Sequence, residues 1–278
     1  MKRRELLKKL LILIVSLVYL VSPLSASFRS LAITLPYSLV CQRKSVLADE
    51  AISLKIPGGM STFKSDWYPI VMTFNDDKGM SQHLGEQVRF TVLYNFGSYD
   101  LFKARSTYYD RQSQYFSSFY GGYIVKSVGE NVVFGFDKDG SANIDELAKL
   151  AEYDQLYLVL SSLGCPPDKL VFESTLASME GDVEYAGIQG WTCVNSNIKT
   201  NSPEHAYLES HRAYIQYGRP RYIGDIEEDF PLINLRGRAY ARYFEEHKAT
   251  VVLFVMAPSW TTIDECDQTI LSKTSISQ

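Results

Sequence analysis

The stretch RAYARYFEEHKATVVLFVM, residues 238–256, decides the fold class. Residues 238–244 alternate along a strand-like period. Glu245-Glu246-His247-Lys248 is a polar turn. Residues 250–256 (TVVLFVM) are an apolar run rich in β-branched side chains. Two such segments around a short turn predict an antiparallel hairpin with a buried second strand.

Similar patterns recur upstream. Residues 88–94 (VRFTVLY) have a period of two, with Val88, Phe90, Val92 and Tyr94 on one face. Residues 68–74 read as a strand running into the turn Asn75-Asp76-Asp77-Lys78-Gly79. Residues 120–128 and 131–136 predict a hairpin through Gly129-Glu130. Shorter strand-like pieces fall at 170–172, 184–186, 191–194 and 213–217. Helices are fewer. Asn143 caps one that runs to about Ala151, and Glu146 completes a capping-box pair. Ser259 or Thr262 caps a closing helix through Leu271, and residues 156–163 fit either a short strand or a helix. Strands adjacent in sequence imply α+β, with a mainly antiparallel β-sheet and a few short helices.

The first residues read as an address. Lys2, Arg3, Arg4, Lys8 and Lys9 precede the apolar residues 10–21; Pro23 and the small Ser25, Ala26 and Ser27 follow. Charge, an apolar run and then small residues make up a secretory signal peptide. Taken to Ser27, residues 10–27 are also a candidate transmembrane helix that would anchor the chain to the cell membrane. Arg3-Arg4-Glu5-Leu6-Leu7-Lys8 resembles a twin-arginine export signal. Ala26 and Ala48 are the candidate cleavage points. The expectation is a signal/anchor helix and leader over residues 1–48. A single extracytoplasmic α+β domain would follow over 49–278, secreted or membrane-anchored, touching the membrane only through the N-terminal segment.

The 278 residues carry a formal net charge of −4. Residues 1–50 hold 8 basic and 3 acidic side chains, so the remainder carries −9. An acidic body with no large Lys/Arg cluster excludes a nucleic-acid partner. Outside the membrane a disulfide is permitted, and Cys165, Cys193 and Cys266 are its candidates. The pairing is open, because spacing does not determine it.

Most catalytic motifs fail. Ser61-Thr62-Phe63-Lys64 resembles the Ser-x-x-Lys element of serine β-lactamases and penicillin-binding proteins. That element must open a long buried helix, and Pro69 interrupts the chain too soon. Asp137-Lys138-Asp139-Gly140-Ser141 resembles part of a calcium loop, but Ala142 and Ala148 stand where the loop needs glycine and glutamate. His205, Glu209 and His211 fit an exposed polar face better than a metal site. No metal site and no cofactor is expected.

Residues 108–123 (YYDRQSQYFSSFYGGY) hold seven aromatics among sixteen residues, and Gly121-Gly122 allows another backbone to approach closely. Two arrangements fit. The aromatics fold into the core, or they form a recognition surface for an envelope protein or a glycan. Its candidate ligand-binding residues are Trp67, Asp76, Asp77, Tyr109, Tyr115 and Tyr120. The functional expectation is a non-catalytic envelope binding protein. The alternative is an extracytoplasmic hydrolase using Asp76, Asp77, Asp100 or Asp110 with His83 as base.

Overall fold

A computed structural model describes residues 2–21, 23–58, 70–100, 105–129, 132–161, 165, 167–203 and 231–277. Six α-helices lie among them: α1 (Lys2–Val21), α2 (Pro23–Arg43), α3 (Val46–Asp49), α4 (Lys78–Leu84), α5 (Ile144–Tyr153) and α6 (Trp260–Thr269). Eleven strands accompany them. They are β1 (Ser53–Lys55), β2 (Ile70–Phe74), β3 (Val88–Asn95), β4 (Tyr99–Asp100), β5 (Arg105–Ser106) and β6 (Phe119–Ser127). After these come β7 (Phe172–Tyr185), β8 (Ile188–Asn201), β9 (Leu232–Phe244), β10 (Ala249–Ala257) and β11 (Ser275–Ser277). Seven strands form one sheet in the order β2-β3-β6-β10-β9-β8-β7, antiparallel throughout. The fold is therefore α+β with a mainly antiparallel sheet and short helices around it.

The hairpin at residues 238–256 lies within β9–β10, with Phe244 paired to Ala249 across the four-residue turn. Strand alternation splits its side chains between two layers. Val252, Phe254 and Met256 enter one, and Val251, Leu253 and Val255 enter the other. The first layer is covered by α4, α5 and a π-helical turn, Asp154–Leu160, through Met80, Leu150 and Val159. The second is covered by α6 and the segment around α3, through Ile263, Cys266 and Val46. The sheet is thus buried on both sides, which explains the unbroken apolar run in β10.

Differences from the sequence expectations have physical causes. β6 does not pair with residues after Gly129-Glu130; it lies between β3 and β10. The close approach expected at Gly121-Gly122 occurs at Gly121, where a Cβ would stand 1.9 Å from the Leu93 carbonyl oxygen. β7 and β8 are 14 residues each, much longer than the short pieces read from sequence. β7 is an edge strand exposed over most of its length, so no burial alternation marks it. Its turn to β8 uses Ala186 and Gly187, both at positive φ (51° and 73°), the conformation a two-residue hairpin favours. Asn143 caps α5, accepting from the Glu146 N–H at 3.1 Å. Glu146 accepts instead from the Gly135 N–H at 2.8 Å, so the reciprocal half of the capping box is not made.

The expected transmembrane helix is corrected. Among the described residues no helix is long and apolar enough to cross a membrane. The charged residues Lys2 to Lys9 occupy the start of α1 and leave only residues 10–21 apolar. That is about 18 Å of helix against a hydrocarbon core of about 30 Å. The expected disulfide is corrected too: all four cysteines are free and buried. Cys165 lies in the first layer, whereas Cys193 and Cys266 lie in the second, so the sheet separates Cys165 from the other two.

Residues ahead of position 49 belong to the packed core. Cys41, Val46 and Leu47 are buried in the second layer. The Val71 N–H donates to Ser38 Oγ at 2.9 Å and the Val46 N–H to Thr91 Oγ1 at 3.1 Å. By contrast α1 is exposed from Arg4 to Leu20, and among the described residues neither apolar layer draws on it. A chain starting at residue 27 should match the full chain in urea unfolding. A chain starting at residue 49 should lose about 3–6 kcal/mol, since each buried Val or Leu contributes about 1.5–3 kcal/mol. Equal stability of the two shortened chains would refute this packing.

Candidate functional site

The strongest site is a cavity of about 240 Å³ between α5 and the first face of the sheet. Its roof is the apolar stripe of α5: Ile144, Leu147, Ala148 and Ala151. Its floor comes from Val194 and Ile198 on β8, Ala239 on β9, and Val252 and Phe254 on β10. The small residues matter here. Ala239 in the floor and Ala148 and Ala151 in the roof leave space that larger side chains would fill. Gly237 is held small by its neighbours, because a Cβ would meet Ile198 Cδ1 at 2.8 Å and Ser196 Oγ at 2.9 Å. Towards solvent the lining includes Asp145 and the exposed edge residues Ser174 and Leu176.

Behind one wall lies a buried acid. Tyr123 lines the cavity, stacks on Phe254 at 4.4 Å between ring centroids, and donates to Asp154 Oδ2 at 2.8 Å. Tyr94 donates to the other oxygen, Oδ1. Asp154 is fully buried at the junction of α5 and the π-helical turn. Burial raises its pKa to about 7, against the opposing pull of the two tyrosine hydrogen bonds. Burial likewise pushes the Tyr94 and Tyr123 hydroxyls well above the ordinary tyrosine value, so both stay protonated donors. This clasp ties the cavity's roof helix to β3 and β6.

The second face carries its own clasp. Asp267 of α6 accepts from Tyr240 at 2.7 Å, from Arg238 at 2.8 Å and from Tyr185. Arg238 also donates to Asp264 at 2.9 Å, and the Tyr185 and Tyr240 rings stack at 3.5 Å. The geometry of this group fastens α6 to the sheet. Burial pushes the nearby Cys193 and Cys266 thiols up and Cys165 to about 12, so none is a ready nucleophile.

The residues proposed from sequence are dispersed. Trp67 lies outside the described residues, as do Ser61, Lys64, His205 and His211. Tyr109, Tyr115 and Tyr120 are buried at 2%, 4% and 0% exposure, so none of the three offers a ring to a partner. Tyr115 donates to Glu265 at 2.7 Å and Tyr120 to the Pro57 carbonyl at 2.8 Å. Asp77 caps α4 and accepts from Tyr153 at 3.2 Å, whereas Asp76 is exposed. His83 stands 3.5 Å from Glu152. Asp100 falls in β4, and Asp110 accepts from the Gln112 N–H at 3.2 Å. Among the described side chains His83 pairs with Glu152, and with neither Asp76 nor Asp77. Among the described residues no group of His, Cys, Asp and Glu side chains could hold a metal ion.

Sequence reading missed Asp154 and the cavity. The available signal was Asp154-Gln155 interrupting a run that is otherwise Tyr, Leu and Val, a polar pair where a core is expected. Comparison of the chain with protein-family models, with curated proteins and with solved structures finds no match in any of the three. The site is therefore read from its own chemistry.

Asp154 gives a pH dependence of definite sign. Between about pH 4 and pH 7 the folded chain keeps a proton that the unfolded chain has released. Stability from this group is therefore complete below pH 4 and falls as pH rises to 7, by on the order of 4 kcal/mol in total. Asp154→Asn should flatten that part of the urea-unfolding profile. An unchanged slope in the variant would place the titration elsewhere.

Proposed function

We propose that the chain is an exported, non-catalytic binding protein that holds a small apolar molecule in the cavity under α5. The cavity carries this reading. It is roughly one and a half times the ~150 Å³ engineered cavity that binds benzene, so it has room for on the order of ten non-hydrogen atoms. It lies below the ~300–1,000 Å³ of drug-sized sites, which argues for a small ligand. Binding is favoured over catalysis because Asp154, the buried carboxyl behind the Tyr123 wall, is engaged on both oxygens by Tyr94 and Tyr123, and Asp145 stands exposed at the cavity's rim.

Export is supported by the basic start of α1, its apolar run and the small residues at 25–27. It is also supported by the exposure of α1, whose removal after Ala26 leaves Cys41, Val46 and Leu47 in place. Cleavage after Ala48 would strip those side chains away. N-terminal sequencing of the protein recovered outside the cytoplasm of its host should therefore start near residue 27. Recovery in the cytoplasm with residue 2 retained would reject export.

The binding claim is tested with N-phenyl-1-naphthylamine, a neutral dye that brightens in apolar sites; its naphthyl ring matches the cavity in size and its phenyl ring extends past the exposed rim. The full chain should bind it saturably. Ala148→Trp from the roof, or Ala239→Leu from the floor, should weaken binding at least tenfold with the unfolding midpoint retained. Ligand at 100 times its Kd should raise wild-type stability by about 2.7 kcal/mol. Dye binding that survives both substitutions would remove the cavity from the reading.

A further inference from the structure

We propose that the cavity selects a neutral ligand bearing a single hydroxyl or carbonyl and rejects carboxylates. This rests on the cavity's being a ligand site. It adds the class of ligand, which follows from the charges around the lining.

Among the described residues no cation is on hand for an anionic head group. Arg238 is the one Lys or Arg among the residues that line the cavity. Its guanidinium lies on the opposite face of the sheet, bound to Asp264, Asp267 and Asn195 at 2.8–2.9 Å. Strand alternation enforces this: Leu235, Ala239 and Ala241 face the cavity layer, while Tyr240 faces the other. The carboxyl groups nearby are themselves acidic. Asp145 borders the cavity, and Asp154 lies one hydrogen bond behind Tyr123. A carboxylate brought in would lose its water with no positive partner among the described residues and, once Asp154 is ionised, would face two like charges.

Neutral oxygen is better served. Ser174 and Ser196 bring two neutral hydroxyls to a mostly apolar lining, each able to donate or accept. The Tyr123 hydroxyl is already committed as a donor to Asp154. A polar oxygen on the ligand therefore finds its partners on β7 and β8, near the exposed rim, with the apolar body beneath α5. That arrangement fits an alcohol, ketone, aldehyde or ester of short chain.

The test is competition against bound N-phenyl-1-naphthylamine on the full chain at pH 8, using 1-octanol and octanoate. The two share a chain length and differ in charge. Octanol should displace the dye at a concentration at least tenfold lower than octanoate. Ser174→Lys supplies the missing cation and should shift the preference towards octanoate by at least tenfold. Equal displacement by the two in the wild-type chain, or a preference for octanoate, would overturn the neutral-ligand inference and leave the cavity reading standing. Dye binding that Ala148→Trp and Ala239→Leu both fail to weaken would overturn the cavity reading, and the ligand class with it.

Discussion

Both faces of the central sheet are apolar, so the chain must supply a cover for each. Everything else in the structure depends on that constraint. In β10 alternate side chains enter opposite layers, and every one of its nine residues is buried. On one side the cover is α6, fastened by Asp267 to Arg238, Tyr185 and Tyr240, together with the chain around α3. On the other it is α4, α5 and the π-helical turn, fastened by Asp154 to Tyr94 and Tyr123. Each clasp places a carboxyl where two tyrosines from the sheet can reach it. A buried carboxyl without such donors would be too costly to keep.

The two covers are unequal, and the cavity follows from that. α5 has ten residues, or about 15 Å of helix, whereas β7 and β8 have 14 residues, or about 46 Å of strand. A helix that short cannot cover strands that long. Small side chains at Ala148, Ala151 and Ala239 then leave the space between helix and sheet unfilled. Packed interiors seldom tolerate voids of this size, since each lost contact costs stability. A void retained beside an exposed rim is therefore read as space for a ligand.

Sequence patterning revealed those strands that are buried in the centre of the sheet. The period-two face of residues 88–94 and the apolar run of 250–256 became β3 and β10 because packing on the sheet demands those patterns. Only the two ends of β7 were read as strand, because an exposed edge imposes no pattern on the middle of FESTLASMEGDVEY. The aromatic segment at 108–123 was conspicuous in composition, yet its tyrosines pack inward, where their flat apolar rings are worth most. The cavity was not legible at all. It is defined by the absence of atoms between segments more than 40 residues apart, and no local pattern encodes that. Asp154 was hidden for a similar reason, since its partners lie 60 and 31 residues away.

The most direct measurement is where the dye sits. Intermolecular NOEs between N-phenyl-1-naphthylamine and the methyl groups of the full chain would report it atom by atom. The predicted result is contact with Leu147, Ala148, Val194 and Ala239, from both roof and floor of one cavity. Contacts confined to the exposed leucines of α1, or none at those four residues, would contradict a ligand site under α5.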